Sequence, residues 1–96
     1  MEKLNTQEIQ QNLEKLDKRW LVKEDYLQCS CKFGNFIEAF SFMTSVAFTA
    51  EKMSHHPNWE NVYNKVEIRL NTHDIGGLSS LDFLLAKDID ALLAKK

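Results

Sequence analysis

Residues 51–70 read EKMSHHPNWENVYNKVEIRL, and the pattern changes from helical to strand-like at the proline. Pro57 disfavours helical backbone for the residue before it. Beyond it lie two strand-like runs, Trp59–Val62 and Lys65–Leu70, and the second has apolar residues at every other position. Tyr63-Asn64 lies between them and predicts a tight turn, since Asn tolerates positive φ. The stretch therefore predicts a hairpin that directly follows a helix.

A first hairpin is predicted upstream. Trp20–Val22 is a short apolar run, Lys23–Asp25 is a polar turn, and Tyr26–Phe33 alternates between apolar and polar residues. Such alternation is typical of a strand with one dry face and one solvated face. Gly34 then breaks the strand pattern.

The segment from Asn35 to about Lys52 or Met53 predicts a long central helix. Asn35 is the candidate N-cap, and Glu38 three residues later is its capping-box partner. The apolar residues recur at the helical period, which predicts a stripe packed in the core. The stripe comprises Phe36, Phe40, Met43, Ala47 and Ala50, and Ile37 widens it.

Two further helices are predicted near the chain ends. Asn5-Thr6 supplies the N-cap of the first, which is expected to end near residues 15–18. Ser79-Ser80 supplies the N-cap of the last, with Asp82 in its first turn, where negative charge is favoured. The apolar positions are Ile9, Leu13 and Leu16 in the first helix, and Leu81, Leu84, Leu85, Ile89, Leu92 and Leu93 in the last.

The resulting order of elements is α-β-β-α-β-β-α. Two hairpins, each followed by a helix, favour an α+β fold of two layers, in which the helices pack on one face of a four-stranded antiparallel sheet. The chain of 96 residues is expected to form a single domain, residues 1–96. A core of this size is small, so an oligomer would add useful burial.

Charge and hydropathy argue against two classes of partner. The net charge is -2 and there is no long basic run, whereas binding to phosphate backbones needs a concentrated positive face. Direct nucleic-acid binding is therefore not expected. No apolar stretch approaches the roughly 20 residues that span a bilayer, and residues 1–5 lack the apolar segment of a signal peptide. We expect no membrane association and a cytoplasmic location.

Cys29 and Cys31 lie two positions apart in a predicted strand. Both side chains then point to the same face as next-but-one neighbours, which is poor geometry for a disulfide. Metal binding is the alternative, but one CxC pair without further cysteines is a weak signal. We expect two reduced core residues, as in a cytosolic protein.

All three histidines fall at the predicted ends of elements. His55-His56 follows the central helix and His73 follows the second hairpin, with Glu51, Asp74 and Asp82 nearby. Imidazole exchanges protons near neutral pH, so the group predicts an acid–base site, with solvated loop histidines as the alternative. Three histidines can also hold zinc. Adjacent histidines rarely aim both rings at one ion, however, so no metal is expected.

These residues form part of a set of motifs that resembles the pterin-4a-carbinolamine dehydratase family, also known as the dimerisation cofactor of a homeodomain transcription factor. The blocks are E-K-x-x-H-H-P-x-W at 51–59, V-Y-N-x-V at 62–66, T-H at 72–73, and G-L-S at 77–79 with the helix-opening Asp82. They lie within residues 51–82, about a third of the chain, and the order of elements covers nearly all of it.

The resemblance implies an enzyme that removes water from a 4a-hydroxytetrahydropterin in tetrahydrobiopterin recycling, by histidine general acid/base catalysis and with no cofactor. It implies that His55, His56 and His73 line the site. We expect His56 and His73 to transfer the protons, and His55 to position the substrate or share the acid role. Ser54 and Asn58 depart from the family pattern, which has an acidic or amide residue and a Glu there.

The residues expected to bind substrate are Glu51, Ser54, Trp59 and Asp82. Glu51 lies four residues, or one helical turn, before His55. It can orient an imidazole or contact the pterin, or it is a solvated helix-end acid. Trp59 can cover the pterin ring, or it packs in the core. Asp82 can hold His73, or it caps the last helix. The Ser54 departure puts one pterin contact in question.

The resemblance also implies a homo-oligomer, with dimers joined through sheet edges and tetramers through helices. A tetramer is favoured here because Leu85, Leu92 and Leu93 widen the last helix's apolar face beyond what one sheet covers. An aromatic amino acid hydroxylase is the client that the resemblance suggests. The alternatives are a coactivator-like module that stabilises a partner's dimer, and an assembly factor. Retention of all three histidines favours the enzyme.

Overall fold

The computed structural model describes residues 2–95, and its elements follow the predicted order. This confirms the α+β class. Strand limits lie within one residue of prediction, whereas the first helix ends earlier, at Leu13. The elements are α1 (Thr6–Leu13), β1 (Leu21–Lys23), β2 (Tyr26–Lys32), α2 (Phe36–Met53), β3 (Asn58–Val62), β4 (Lys65–Leu70) and α3 (Ser80–Ala94), with a 3₁₀ helix at His73–Ile75.

The four strands form one antiparallel sheet in the order β1-β2-β4-β3. In its centre, Cys29 of β2 lies opposite Ile68 of β4, and both are buried. The next pair, Ser30 and Glu67, lies on the opposite face, where Ser30 is exposed. The alternation in the sequence therefore identified the buried face of both central strands.

The turn between β3 and β4 occurs at Tyr63-Asn64 as predicted, but the roles of its two residues differ from expectation. Tyr63 has φ 52, so Tyr63 and not Asn64 adopts the left-handed conformation. The Asn64 side chain instead donates to the Phe33 carbonyl, and the Phe33 N–H donates to the Asn64 carbonyl. Asn64 therefore ties the second hairpin to the end of the first.

The predicted core stripe of α2 is wrong for most of its members. Phe36 and Phe40 are 46% and 53% exposed, and Ala47 is also exposed. The buried face consists instead of Ala39, Phe42, Val46 and Ala50. The buried face is rotated by roughly a fifth of a turn from the predicted stripe, at 3.6 residues per turn. The large aromatic residues at the start of α2 thus remain on the surface.

The apolar face of α3 also differs from expectation. Leu85 was expected to extend beyond the sheet's reach, but it is fully buried in the core, while Leu84 is 53% exposed. Phe83 takes a core position that the predicted stripe lacked. Leu92 and Leu93 are half-buried and pack against the core.

The two cysteines are free and buried, with their sulfur atoms 3.6 Å apart. The hydrogen bond with Cys31, together with burial, raises the pKa of the Cys29 thiol. Both cysteines belong to the core cluster, as the reduced-core prediction required. None of the helices formed by residues 2–95 is long and apolar enough to cross a membrane.

Candidate active site

The end of α2 places the two adjacent histidines. The His55 N–H donates to the Ala50 carbonyl and the Ser54 N–H donates to the Glu51 carbonyl, which is the hydrogen-bond pattern of a Schellman motif. Ser54 adopts the left-handed conformation, with φ 54 and ψ 38, that this motif requires. Pro57 then prevents the helix from resuming. The chain therefore turns sharply at Ser54, and both histidines follow the turn.

His55 is bound to Asp82 in the protein interior. The His55 Nε2 and Asp82 Oδ1 atoms are 2.6 Å apart, and the two side chains are 10% and 0% exposed. The second oxygen, Oδ2, accepts from the Thr72 hydroxyl at 2.8 Å and from the Ser79 N–H at 2.9 Å. Asp82 thus caps α3, which is one of the two roles considered for it. The histidine that it binds is His55 and not His73, the candidate partner in the sequence.

His56 has its own carboxylate partner at the surface. Its Nε2 atom lies 2.9 Å from Glu51 Oε1, with the two side chains 63% and 81% exposed. Glu51 therefore pairs with the second histidine of the run, although its spacing of four residues had pointed to His55. Both adjacent histidines thus use Nε2 to contact a carboxylate.

His73 opens the 3₁₀ helix in a short closed loop. The Thr72 N–H donates to the Gly77 carbonyl at 2.8 Å and closes the loop, while the Gly76 N–H donates to the His73 carbonyl. Gly76 has φ 63, which a residue with a Cβ adopts only under strain. His73 is exposed, and its side chain makes no hydrogen bond with any residue of 2–95.

Thr72 connects the two histidine segments. Its hydroxyl binds the carboxylate that holds His55, and its backbone precedes His73 directly. The structure therefore brings the His73 loop to the network that contains His55. Sequence reasoning missed Thr72 and the Ser79 hydroxyl as members of this network. The T-H motif and the capping serine were visible signals, but neither identifies a shared partner.

Trp59 and Ser54 occupy different surroundings near this site. Trp59 lies on the apolar face of β3, opposite Ile68, and is half-buried against the core cluster. Trp59 therefore packs against the core, which is one of the two roles considered for it. Its role in covering a pterin ring stays a prediction. Ser54 is exposed, and its contact with substrate also stays a prediction.

A cavity of about 850 Å³ lies elsewhere, between α1 and β1. Its floor includes Ile9, Leu13 and Trp20, and no histidine lines it. Within the described range 2–95, no three His, Cys, Asp or Glu side chains come together as metal ligands. The three histidines lie instead at the end of α2 and just after β4, next to the start of α3.

The arrangement can perform acid–base chemistry on a bound molecule. It offers one buried imidazole fixed by a carboxylate, one exposed imidazole beside a carboxylate, and one exposed imidazole on a closed loop. The model of one protein family, described as pterin 4 alpha carbinolamine dehydratase, matches residues 2–92.

The chain belongs to this family.

Similar proteins agree with the family assignment. A Prochlorococcus marinus (strain MIT 9312) protein, provisionally named a pterin-4-alpha-carbinolamine dehydratase, is 56% identical over 73 residues, which are 76% of each chain. Another from Prochlorococcus marinus (strain MIT 9515), with the same provisional name, is 46% identical over 92 residues, covering 96% of this chain and 95% of the relative.

Two solved structures share the fold. A protein described as transcriptional coactivator/pterin dehydratase from Brucella melitensis is 36% identical, with a TM-score of 0.89 over 95% of this chain and 98% of its own. A pterin dehydratase-like protein described as a RuBisCO assembly factor in the alpha-carboxysome is 25% identical, with a TM-score of 0.64 over 77% of this chain and 86% of its own. Proteins that share this fold thus carry descriptions that include roles other than dehydration.

Proposed function

We propose that this protein dehydrates a 4a-hydroxytetrahydropterin of the tetrahydrobiopterin type to a quinonoid dihydropterin and water, by histidine general acid/base catalysis. The observation that carries the proposal is the pairing of two adjacent histidines with separate carboxylates, His55 with Asp82 and His56 with Glu51. Family membership supplies the substrate class. Imidazoles suit such a reaction because they take up and release protons near neutral pH.

The reaction needs two proton transfers and no electron transfer. The bond between C4a and the hydroxyl oxygen breaks, and that oxygen leaves as water after taking a proton from an acid. A base removes the proton from the ring nitrogen beside C4a, and a double bond forms between that nitrogen and C4a. One charged and one neutral imidazole on either side of this bond are sufficient, and each such group typically contributes about 10²–10⁴-fold to the rate.

Exposure supports different roles for the three histidines. His56 and His73 are exposed, so a pterin can approach both rings, and we assign the two proton transfers to them. The His55 side chain is only 10% exposed and is fixed by Asp82. His55 therefore fits a positioning role, or a share in the acid role through the one ring nitrogen that Asp82 leaves free.

The four residues expected to bind substrate divide by accessibility. Glu51 is exposed and can contact both His56 and a ligand. Ser54 and Trp59 flank the histidine pair along the chain and are proposed as contacts to the pterin. Asp82 is fully buried, so we propose that it affects substrate through His55.

The wider setting of the reaction is also proposed. The product would be reduced again in tetrahydrobiopterin recycling, in the cytoplasm, with an aromatic amino acid hydroxylase as the client that generates the substrate. We propose that the active form is a homo-oligomer with one site per chain, and that a tetramer is favoured over a dimer. The outer face of α2, defined as Phe36, Ile37, Phe40 and Phe48, is 46% to 75% exposed and would bury well against another copy.

The same face supports the competing function of a non-catalytic binding module. An apolar helix face of this kind can accept a partner helix in place of another copy of the chain. The coactivator and assembly-factor descriptions of the two structural neighbours are consistent with such a role for members of this fold. Retention of all three histidines, two of them exposed to a ligand, favours the enzyme.

A direct assay tests the proposal. Purified protein is mixed with freshly prepared 4a-hydroxytetrahydropterin, and formation of the quinonoid product is followed by ultraviolet absorbance against the spontaneous rate. We expect an acceleration that is proportional to protein concentration. A rate equal to the spontaneous one, with correctly folded protein, would eliminate the dehydratase in favour of the binding module.

A further inference from the structure

The hydroxyl groups of Ser79 and Thr72 form a series of hydrogen bonds that ends at Asp82, the carboxylate bound to His55. The Thr72 and Ser79 hydroxyl oxygens are 2.6 Å apart, and the Thr72 hydroxyl is also 2.8 Å from Asp82 Oδ2. A hydroxyl has one hydrogen, and a carboxylate only accepts. The Thr72 hydrogen therefore goes to Asp82, and the Ser79 hydrogen goes to Thr72.

Backbone groups at the start of α3 hold Ser79, the other end of this series of hydrogen bonds. The Ser79 oxygen accepts from the Leu81 N–H at 3.3 Å, and the Ser79 N–H donates to Asp82 Oδ2. With its hydroxyl accepting from the helix, Ser79 has its hydrogen free for Thr72. All three groups are buried, and within residues 2–95 every buried side-chain N or O atom has a partner. With Asp82 as an ionised carboxylate, the network has one consistent arrangement of hydrogens.

This arrangement determines how His55 is protonated. Asp82 Oδ2 is occupied by two donors, so Oδ1 is the oxygen directed at His55, 2.6 Å from Nε2. An accepting oxygen at that distance requires a hydrogen on Nε2. The nitrogen left for substrate is therefore Nδ1, whichever charge the ring carries.

We propose that Thr72 is a positioning residue of the dehydratase: its hydroxyl orients Asp82, which keeps the hydrogen of His55 on Nε2 and turns Nδ1 toward the substrate. This rests on the proposed function. Thr72 also closes the loop that carries His73 through its N–H bond to Gly77. One residue therefore sets the relative placement of two of the three histidines, and small displacements of such groups have large effects on rate.

Three variants separate the hydroxyl from the bulk of the side chain. Thr72→Val removes the hydroxyl and keeps the shape, Thr72→Ser keeps the hydroxyl and removes a methyl group, and Thr72→Ala is the substitute if Val prevents folding. We expect Thr72→Val to lower kcat about tenfold with KM within about twofold, since Thr72 acts through another group and not by binding substrate. Thr72→Ser should retain kcat within about threefold. Equal losses in Val and Ser would overturn the proposal.

A spectroscopic measurement tests the role of Thr72 independently of catalytic activity. Long-range ¹H–¹⁵N spectra of the imidazoles report which ring nitrogen carries hydrogen, and assignment uses a His55→Gln variant. In the wild-type protein we expect a hydrogen on His55 Nε2, and in Thr72→Val or Thr72→Ala a detectable share of the other tautomer. An unprotonated Nε2 in the wild type, or no change in either variant, would overturn the proposal. If the wild type had no dehydratase activity, the proposed function would fail while the tautomer result still decided the role of Thr72.

Discussion

The Nε2 atom of His55 lies 2.6 Å from Oδ1 of Asp82, and this contact joins the end of α2 to the start of α3 across 27 positions of the chain. Both side chains are withdrawn from solvent, at 10% and 0% exposure. The neighbouring pair of His56 and Glu51 has the same chemistry, but the two side chains are 63% and 81% exposed. Two similar pairs thus differ chiefly in burial, which predicts different contributions to stability.

Removal of the buried carboxylate should be far more destabilising than removal of the exposed one. Asp82→Ala leaves His55, the Thr72 hydroxyl and the Ser79 N–H without their acceptor, and loss of one partner of a buried pair costs about 3–5 kcal/mol. Glu51→Ala should stay within about 0.5 kcal/mol, as is usual for surface changes. Urea unfolding followed by tryptophan fluorescence measures both. Equal losses in the two variants would contradict the buried network.

The strands were predictable because their signal is local. In β4, Val66, Ile68 and Leu70 alternate with polar residues, and the pleat of a strand converts that alternation directly into two faces. The capping residues of α1, Asn5, and of α3, Ser79, were predictable for the same reason. Each needs only its own neighbours within one helical turn.

The buried face of α2 was not predictable from its periodicity. Two sets of apolar residues follow the helical spacing, one containing Phe36 and Phe40 and the other containing Ala39, Phe42 and Val46. The helix packs through the second set, whose smaller residues allow a closer approach to the core. Which set faces the sheet depends on the packing of the whole domain, so the helical period alone could not choose between them.

The positions of the three histidines at the ends of elements were predictable, whereas their hydrogen-bond partners were not. His55, His56 and His73 could be recognised from motif and position, because each lies at the end of an element. The partner of Asp82 depends on how the end of α2 and the loop after β4 meet in space, which no periodicity encodes. Spacing along a helix likewise misled the pairing of Glu51, since α2 ends at Met53 and both histidines of the pair lie beyond it.

Loss of a proton-transferring histidine should lower the dehydration rate without unfolding the protein. We expect His56→Ala and His73→Ala each to reduce the rate at least about tenfold, near the low end for loss of an acid–base group. Both side chains are exposed, so circular dichroism should remain that of the wild type. Asp74→Ala in the same 3₁₀ helix as His73 is the matched control and should keep the wild-type rate. Wild-type rates in both histidine variants would show that the site is assigned wrongly.

Dehydration should proceed without a metal ion. The prediction rests on the chemistry of the donor set, since His55 and His56 already use Nε2 to bind carboxylates and no recognisable ligand spacing occurs. Activity is measured before and after extensive dialysis against EDTA, and again after zinc is restored. We expect equal rates in all three samples. Activity that disappears with the chelator and returns with zinc would overturn the prediction.

Replacement of Ser54 by glycine should stabilise the protein. Ser54 has φ 54, and a left-handed conformation costs a residue with a Cβ roughly 1–2 kcal/mol. Glycine relieves this strain but adds about 0.4–1 kcal/mol of unfolded-state entropy. The net gain should be about 0.5–1 kcal/mol, or a rise in Tm of about 4 °C. Ser54→Ala keeps the Cβ and should show no gain, and an equal rise in both variants would exclude strain as the cause.

Assembly through the outer face of α2 is the remaining prediction. At 3.6 residues per turn its four apolar side chains fall within about one third of the helix circumference, opposite the half that packs on the core. A closed-symmetry complex would bury them against the same face of another copy. Light scattering on a sizing column at micromolar concentration should give four times the 11.2 kDa of one chain. Phe40→Glu should halve that mass, because charge is poorly tolerated in an apolar interface.

Leu84→Glu is the matched control, since Leu84 has the same 53% exposure as Phe40 but lies on α3 and beside α1. A wild-type mass near one chain would refute assembly, and a mass near two chains, unchanged in Phe40→Glu, would leave only pairing through sheet edges.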